Sequence, residues 1–318
     1  MFAVVTGFSG IKWDVAIVGT DGATIAQATA DPPIVQPNAA APWTSASLTR
    51  LYYLNNRTEV RFLDANGNSG SVTSIPAGAS DQAVFAVSPD DKRIAVSILK
   101  YAPPGEWVAA FPKYIGMRMY VEDLVGGGHH VEIFASTSVV EFPVGWKDGR
   151  LVIAVSTIAC CSSPIINPYN ASSYHVADPQ TGTRLASLCD NSVGPMGPPG
   201  PLGAVCWHVQ GGPTFQRWDG SAFNAPAAVP SPYPYLVAMS PDATRVAVGG
   251  GEHIRIIGGG PDDLLSESGY VFGWLDANHI VFQRYGSRSL SVFDLQRHLS
   301  ADWPLAWHYW GPFPPALG

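Results

Sequence analysis

The chain has 318 residues, of which 46% are apolar and only 14% charged, with 33 glycines, 28 prolines and a net charge of −7. That balance excludes a basic stripe for nucleic acid, because matching a phosphate backbone takes clustered Lys and Arg. No window approaches the ~18 uninterrupted apolar residues of a membrane span, and the Gly and Pro content reads as many short strands joined by turns.

In chain order, the first unit offers three strands, Phe2–Thr6, Trp13–Val18 and Thr24–Ala28, and lacks a fourth. Its opening MFAVVTGFSG has no basic n-region and enters a strand at once, which reads as either a mature start or a trimmed one, and leaves room for a lost signal or anchor. The second unit opens with a hairpin in Trp43–Asn56, then Glu59–Leu63, an Asp64-Ala65-Asn66-Gly67 turn and Ser71–Ile75. The third carries AVFAVSPDDKRIAVSIL at Ala83–Leu99, then Met117–Asp123, a Gly126–Gly128 turn and Val131–Phe134. In the fourth, Val140–Ser156 is followed by Tyr174–Ala177 and Arg184–Leu188. The fifth, Gly194–Ala227, is the least regular; the sixth repeats the Ser-Pro-Asp hairpin as YLVAMSPDATRVAVGG at Tyr235–Gly250, and the last hairpin is Val271–Gln283. Alternation in VRFLDANG and YHVADPQTG suits strands with two unlike faces.

A hairpin recurring every few tens of residues is the signature of a β-propeller. The fold expected is all-β, one domain over residues 1–318, with seven blades of about 45 residues and six as the alternative. The aromatic C-terminal stretch from Trp307 to Phe313 would supply the strand missing from the first blade and close the ring. The Ser-Pro-Asp hairpins resemble the WD-repeat-like propellers of the TolB type, although the WD dipeptide is absent at the ends of the third strands. That family spans periplasmic scaffolds, lids on peptidases and free-standing modules. The resemblance therefore implies a fold and a tendency to bind partners, and no particular reaction.

Four cysteines, Cys160, Cys161, Cys189 and Cys206, fall in one stretch. Blade topology brings Cys160 or Cys161 toward Cys189 within the fourth blade and leaves Cys206 harder to place. The expectation is a disulfide and an extracellular or periplasmic home. Zinc would want C-x-x-C spacing or a nearby His pair, which the stretch lacks, so no metal or other cofactor is expected.

Propeller geometry also sorts loops by face. First-to-second and third-to-fourth turns share one side and are tight. Second-to-third loops and inter-blade connections share the other and are long. Two long loops, Lys100–Ile115 and Thr157–Ser172, are joined there by the Asn191–Gly203 connection, which holds the extended Gly197-Pro198-Pro199-Gly200-Pro201. They would gather Tyr101, Trp107, Phe111, Tyr114 and Tyr169 into one rigid aromatic sector on blades three to five. The competing reading packs those rings into the mouth of the channel.

The sequence lacks G-x-S-x-G, H-E-x-x-H and a phosphate-cradling loop. Asp90, Asp148, Asp242 and Asp276 recur at one place in the repeat, as turn residues bonding their own backbone do. His129-His130 reads as a solvated turn without carboxylate company. The function expected is a non-catalytic, extracytoplasmic interaction or assembly module acting through the long-loop face of blades three to five, its partner a protein or glycan. Two other readings stand beside it: a propeller hydrolase or carbohydrate-active enzyme with a channel-mouth site, and a self-assembling cell-surface subunit.

Overall fold

The computed structural model describes residues 2–32, 43–103, 113–156, 166, 171–190, 192, 194–195, 199–208, 212–224, 237–258, 263–303 and 308–313. The first blade holds β1 (Phe2–Ser9), β2 (Lys12–Gly19) and β3 (Thr24–Ala30), and the second β4 (Thr44–Ala46), β5 (Leu51–Asn55), β6 (Glu59–Leu63) and β7 (Ser69–Ser74). Blade three comprises β8 (Gln82–Val87), β9 (Arg93–Tyr101), β10 (Tyr114–Asp123) and β11 (Val131–Ser136). Blade four comprises β12 (Val140–Lys147), β13 (Arg150–Ser156), β14 (Ser173–Ala177) and β15 (Arg184–Leu188). In blade five these are β16 (Gly194–Pro195), β17 (Gly203–His208), β18 (Gly212–Arg217) and β19 (Ala222–Phe223). Blade six has β20 (Val237–Met239), β21 (Val246–Val248), β22 (Arg255–Ile257) and β23 (Asp263–Leu264). Blade seven has β24 (Gly269–Trp274), β25 (His279–Arg284), β26 (Ser291–Asp294) and β27 (Leu299–Asp302), after which β28 (His308–Phe313) ends the described chain.

These strands form seven four-stranded antiparallel sheets, so the structure is a seven-bladed propeller. The first sheet runs β28-β1-β2-β3. Val5 pairs with Tyr309 and Val4 with Gly311, which leaves Trp310 as the bulged residue. The C-terminal strand thus completes the first blade and joins the chain's two ends by main-chain hydrogen bonds.

Burial falls from the axis outward. All six residues of inner strand β8 are buried, whereas the outer strands β7 and β11 are half-exposed to exposed. An inner strand has neighbouring blades on both faces and therefore reads as an unbroken apolar run. Strand β14 departs from the alternation expected of it: all five residues, His175 included, are buried, because both its faces are covered by adjoining blades.

The Ser-Pro-Asp turns are built from their own side chains. Ser88 donates to Asp90 at 2.7 Å and accepts from the Arg93 N–H at 2.9 Å. Ser240 repeats this with Asp242 at 2.6 Å and Arg245 at 3.0 Å. Asp91 and Ala243 take the left-handed conformation that closes each turn. In blade seven Asp276 accepts the N–H groups of Asn278 and His279. Asp90, Asp242 and Asp276 thus build their turns with their side chains, whereas Asp148 takes the left-handed backbone position of its turn.

One disulfide is present among the described residues, Cys189–Cys206, and it corrects the pairing expected from topology. Cys189 follows the outermost strand of blade four, and Cys206 lies on β17, the second strand of blade five. Cys189 donates its N–H to Gln216 Oε1 on β18, the strand beside β17, and the two half-cystine Cα atoms stand 5.1 Å apart. Both half-cystines are buried. Cys160 and Cys161 lie outside the described residues.

Candidate binding cavity on the ring axis

All seven blades contribute to a cavity of about 140 Å³ on the ring axis. Its wall comes mainly from the ends of the inner strands and from first turns such as those at Pro89, Pro201 and Pro241, so it lies toward the tight-turn face. Pro199–Pro201, expected on the long-loop face, belong here instead because Gly194–Pro195 already forms the inner strand of blade five. Among the described residues, none that lines it is an Asp, Glu, His, Lys, Arg or Cys. The wall is aromatic and proline-rich instead.

An inner strand has a free edge toward the axis, and free edges present N–H and C=O groups. Here those groups are largely covered or removed. The Trp43 indole donates to the Phe85 carbonyl at 2.6 Å, Trp146 to that of Ala86 at 3.1 Å, and Trp274 to that of Ala238 at 2.8 Å. Tyr309 donates its hydroxyl to the Trp274 carbonyl at 3.2 Å, and the Trp310 indole donates to Thr6 Oγ1 at 3.1 Å. Pro143 and Pro312 sit within inner strands β12 and β28, where each lacks a backbone N–H.

The Trp146 and Trp274 contacts are equivalent. Each tryptophan closes an inner strand just past a bulge, at Val144 and Phe272. Each reaches back to the alanine one residue before the end of the preceding blade's inner strand. The Arg245 guanidinium stands 5.4 Å from the Trp274 ring centre and also donates to the Ala277 carbonyl, tying blade six to blade seven.

The residues expected on the long-loop face divide differently. Tyr101 and Tyr114 are 3% and 6% exposed and meet edge to face at 6.2 Å, as the last cross-strand pair before their loop. The Tyr114 hydroxyl lies 3.3 and 3.2 Å from the carbonyl oxygens of Ser136 and Val139, and burial pushes its pKa up to about 12. These two rings are core, which corrects their expected place in an exposed sector. Trp107, Phe111 and Tyr169 lie outside the described residues.

Two polar clusters escaped the sequence reading. On the long-loop side of blade four, Glu141 is 2% exposed and accepts His175 Nδ1 at 3.0 Å and Arg184 at 2.8 Å, with Asp190 3.7 Å from His175 Nε2. Its charge is thus matched inside the blade. His129 and His130 do have carboxylate company: Asp123 at 2.7 Å for the first, Glu122 at 2.9 Å and Glu132 at 3.1 Å for the second. The β10–β11 hairpin brings them together, although among the described residues no group of three or more such side chains converges to hold a metal ion. No described helix is long and apolar enough to cross a membrane.

Comparison with known proteins bears on this geometry. No family model and no curated protein matches the chain. Solved structures do. Acylaminoacyl peptidase from Pyrococcus horikoshii is 8% identical with a TM-score of 0.52, over 96% of this chain and 52% of that one. Porphyromonas gingivalis dipeptidyl peptidase 4 is 8% identical with a TM-score of 0.51, over 96% of this chain and 50% of that one. TolB from Acinetobacter baumannii is 14% identical with a TM-score of 0.41, over 95% of this chain and 62% of that one. The likeness is one of fold. The chain spans about half the length of the two peptidases, and TolB proteins stand among its structural neighbours.

Proposed function

We propose that the protein is a non-catalytic binding propeller that works outside the cytoplasm and holds a protein partner at the axial cavity on its tight-turn face. The observation that carries this reading is the lining: aromatic rings and prolines from all seven blades converge there, with no ionisable side chain among the described lining residues. Such a wall supplies contact area and shape, and it offers no general acid, base or charged nucleophile for a reaction. The buried disulfide supports an oxidising compartment. The long-loop face remains the alternative docking surface, through Trp107, Phe111 and Tyr169.

The test is recovery of the partner from the extracytoplasmic fraction on immobilised protein. A Val144→Trp variant, which puts a larger side chain at the bulge on the cavity wall, should lose the partner while its melting temperature stays close to that of the parent. Retention of the partner by that variant would move the interface to the long-loop face. Turnover of ester, peptide or glycoside substrates by the purified chain, abolished by Glu141→Gln or His175→Gln, would replace the binding reading with an enzymatic one.

A further inference from the structure

We infer that strand β3, the outer edge of blade one, is a docking surface for a second copy of this chain, the two β3 strands pairing antiparallel across a two-fold axis. The surface lies on the rim of the ring and is independent of the axial cavity.

Each of the seven sheets ends in an outer strand, and a free strand edge invites pairing unless something blunts it. Most of these edges are blunted. Charges sit on β11 (Glu132), β15 (Arg184), β23 (Asp263) and β27 (Asp302), and β19 has only two residues. Strand β7 is uncharged, but a bulge at Val72 splits its pairing in the middle. A turn of the following blade also crowds three of these strands. A Cβ on Gly182 would stand 3.3 Å from the Ile133 main chain of β11, and one on Gly220 would stand 3.7 Å from the Ser187 carbonyl of β15. One on Gly22 would stand 3.0 Å from the Asp302 carbonyl of β27.

Strand β3 escapes these guards. Its sequence TIAQATA, seven residues, makes it the longest described outer strand, and it holds neither charge nor proline. Its bulge falls at Ile25, near its start, and leaves Ala26–Ala30 in unbroken register with Trp13–Ile17. The corresponding turn of blade two stays clear, since a Cβ on Gly67 would meet nothing within 4 Å. Among the described residues, no group outside β2 hydrogen-bonds the main chain of Thr24–Ala30.

The make-up of that run selects the partner. Pairing about Ala28 sets Ala28 opposite itself, Ala26 opposite Ala30 and Gln27 opposite Thr29, so that like faces adjoin. On the inward face, where Ala26 and Ala30 are buried, only methyl groups meet. On the exposed face the Gln27 amide meets the Thr29 hydroxyl, which can accept while it donates to Asp14 at 3.0 Å. Like charges do not meet along the run, and Lys12 and Asp31 at its end already pair at 3.1 Å. A self-complementary patch is what a two-fold dimer requires. One strand per copy makes a small interface, so the pairing is reversible, and it stops at two because the edge is then used up.

Sedimentation velocity of the intact chain across a wide range of concentration tests this. The parent should pass from monomer to dimer and go no further. Gln27 is exposed and stands diagonally across the axis from its counterpart, within reach of long side chains. Gln27→Lys and Gln27→Glu should therefore each stay monomeric at concentrations where the parent is dimeric. Mixing the two variants should restore the dimer, a rescue that misfolded chains could not give. Hydrogen exchange of the parent should show β3 amides gaining protection as concentration rises, with those of β7 and β11 unchanged.

A parent that stays monomeric throughout, a dimer indifferent to Gln27→Lys, protection gained on another outer strand, or growth beyond the dimer would each overturn the proposal. So would a monomeric parent whose β3 amides gain protection only when the extracytoplasmic fraction is added. That outcome would assign the edge to an extended segment of a different protein.

Discussion

Individual side chains hold neighbouring blades in register, and two of them make the point quantitatively. Trp274 covers the Ala238 carbonyl, and Trp146 does the same for Ala86 three blades earlier. Phenylalanine at either position keeps the apolar ring and strands a buried carbonyl. Trp274→Phe should therefore cost about 1–3 kcal/mol in urea unfolding. A loss below a few tenths would mean that water reaches the carbonyl. A different residue answers to pH. His130 is partly exposed and stacks on Tyr120 with ring centres 4.7 Å apart, near Arg118. Hydrogen bonds from its ring to Glu122 and Glu132 hold its pKa above the ordinary histidine value. Its proton thus favours the folded chain: the contribution is full below the unfolded value of ~6.5 and is lost as the pH rises through the higher folded value. His130→Gln should lower the melting temperature more at about pH 5.5 than at about pH 8.5. An equal loss at both would show that the ring acts through packing alone.

At the scale of elements, the disulfide fastens the outer edge of blade four to the second strand of blade five across 17 residues. Closing a loop of that size is worth ~3 kcal/mol in the chain-entropy account. Cys189→Ser with Cys206→Ser should lower the unfolding free energy by about that amount and leave blades one to three unchanged by amide exchange. Loss of protection all round the ring would show instead that the link holds the whole structure.

Which of these elements the sequence could reveal follows from where the information sits. The Ser-Pro-Asp hairpins were legible because their signals are local: Ser88, Asp90 and Arg93 all act within six residues. Seven blades and the closing strand followed from counting such units and noting that one lacked a member. Contacts between units left no comparable trace. The Cys189–Cys206 pair depends on how the end of β15 meets β17 and β18 of the next blade. The burial of Tyr101 and Tyr114 depends on their being a strand pair, when spacing alone put them in a loop. The axial cavity is harder still to read. Its wall draws two to five described residues from each blade, spread from Val4 to Pro312, and nothing in their spacing marks them as neighbours.

The whole molecule depends on the seam between β1 and β28. His308 stands there opposite Thr6, partly buried, and desolvation holds its pKa below the ordinary histidine value. The folded ring therefore resists its protonation. Stability at this position is full above ~6.5 and declines as the pH falls toward the depressed folded value, because the unfolded chain takes up the proton first. Acidification should lower the protection factors of β1 and β28 amides before those of blades three and four, and His308→Gln should flatten that dependence. Uniform loss of protection would place the weak point elsewhere.

That seam also dictates a timetable. Blade one is the first to leave the ribosome and the last to be finished, since its axial strand is made some three hundred residues later. Until then the free edge of β1 is a template for any passing extended peptide. Blades four and five can be clipped together by their disulfide well before the circle shuts. A nascent or exported chain of this kind is most in need of a chaperone at its oldest sheet, and least along the stretch already locked by sulfur.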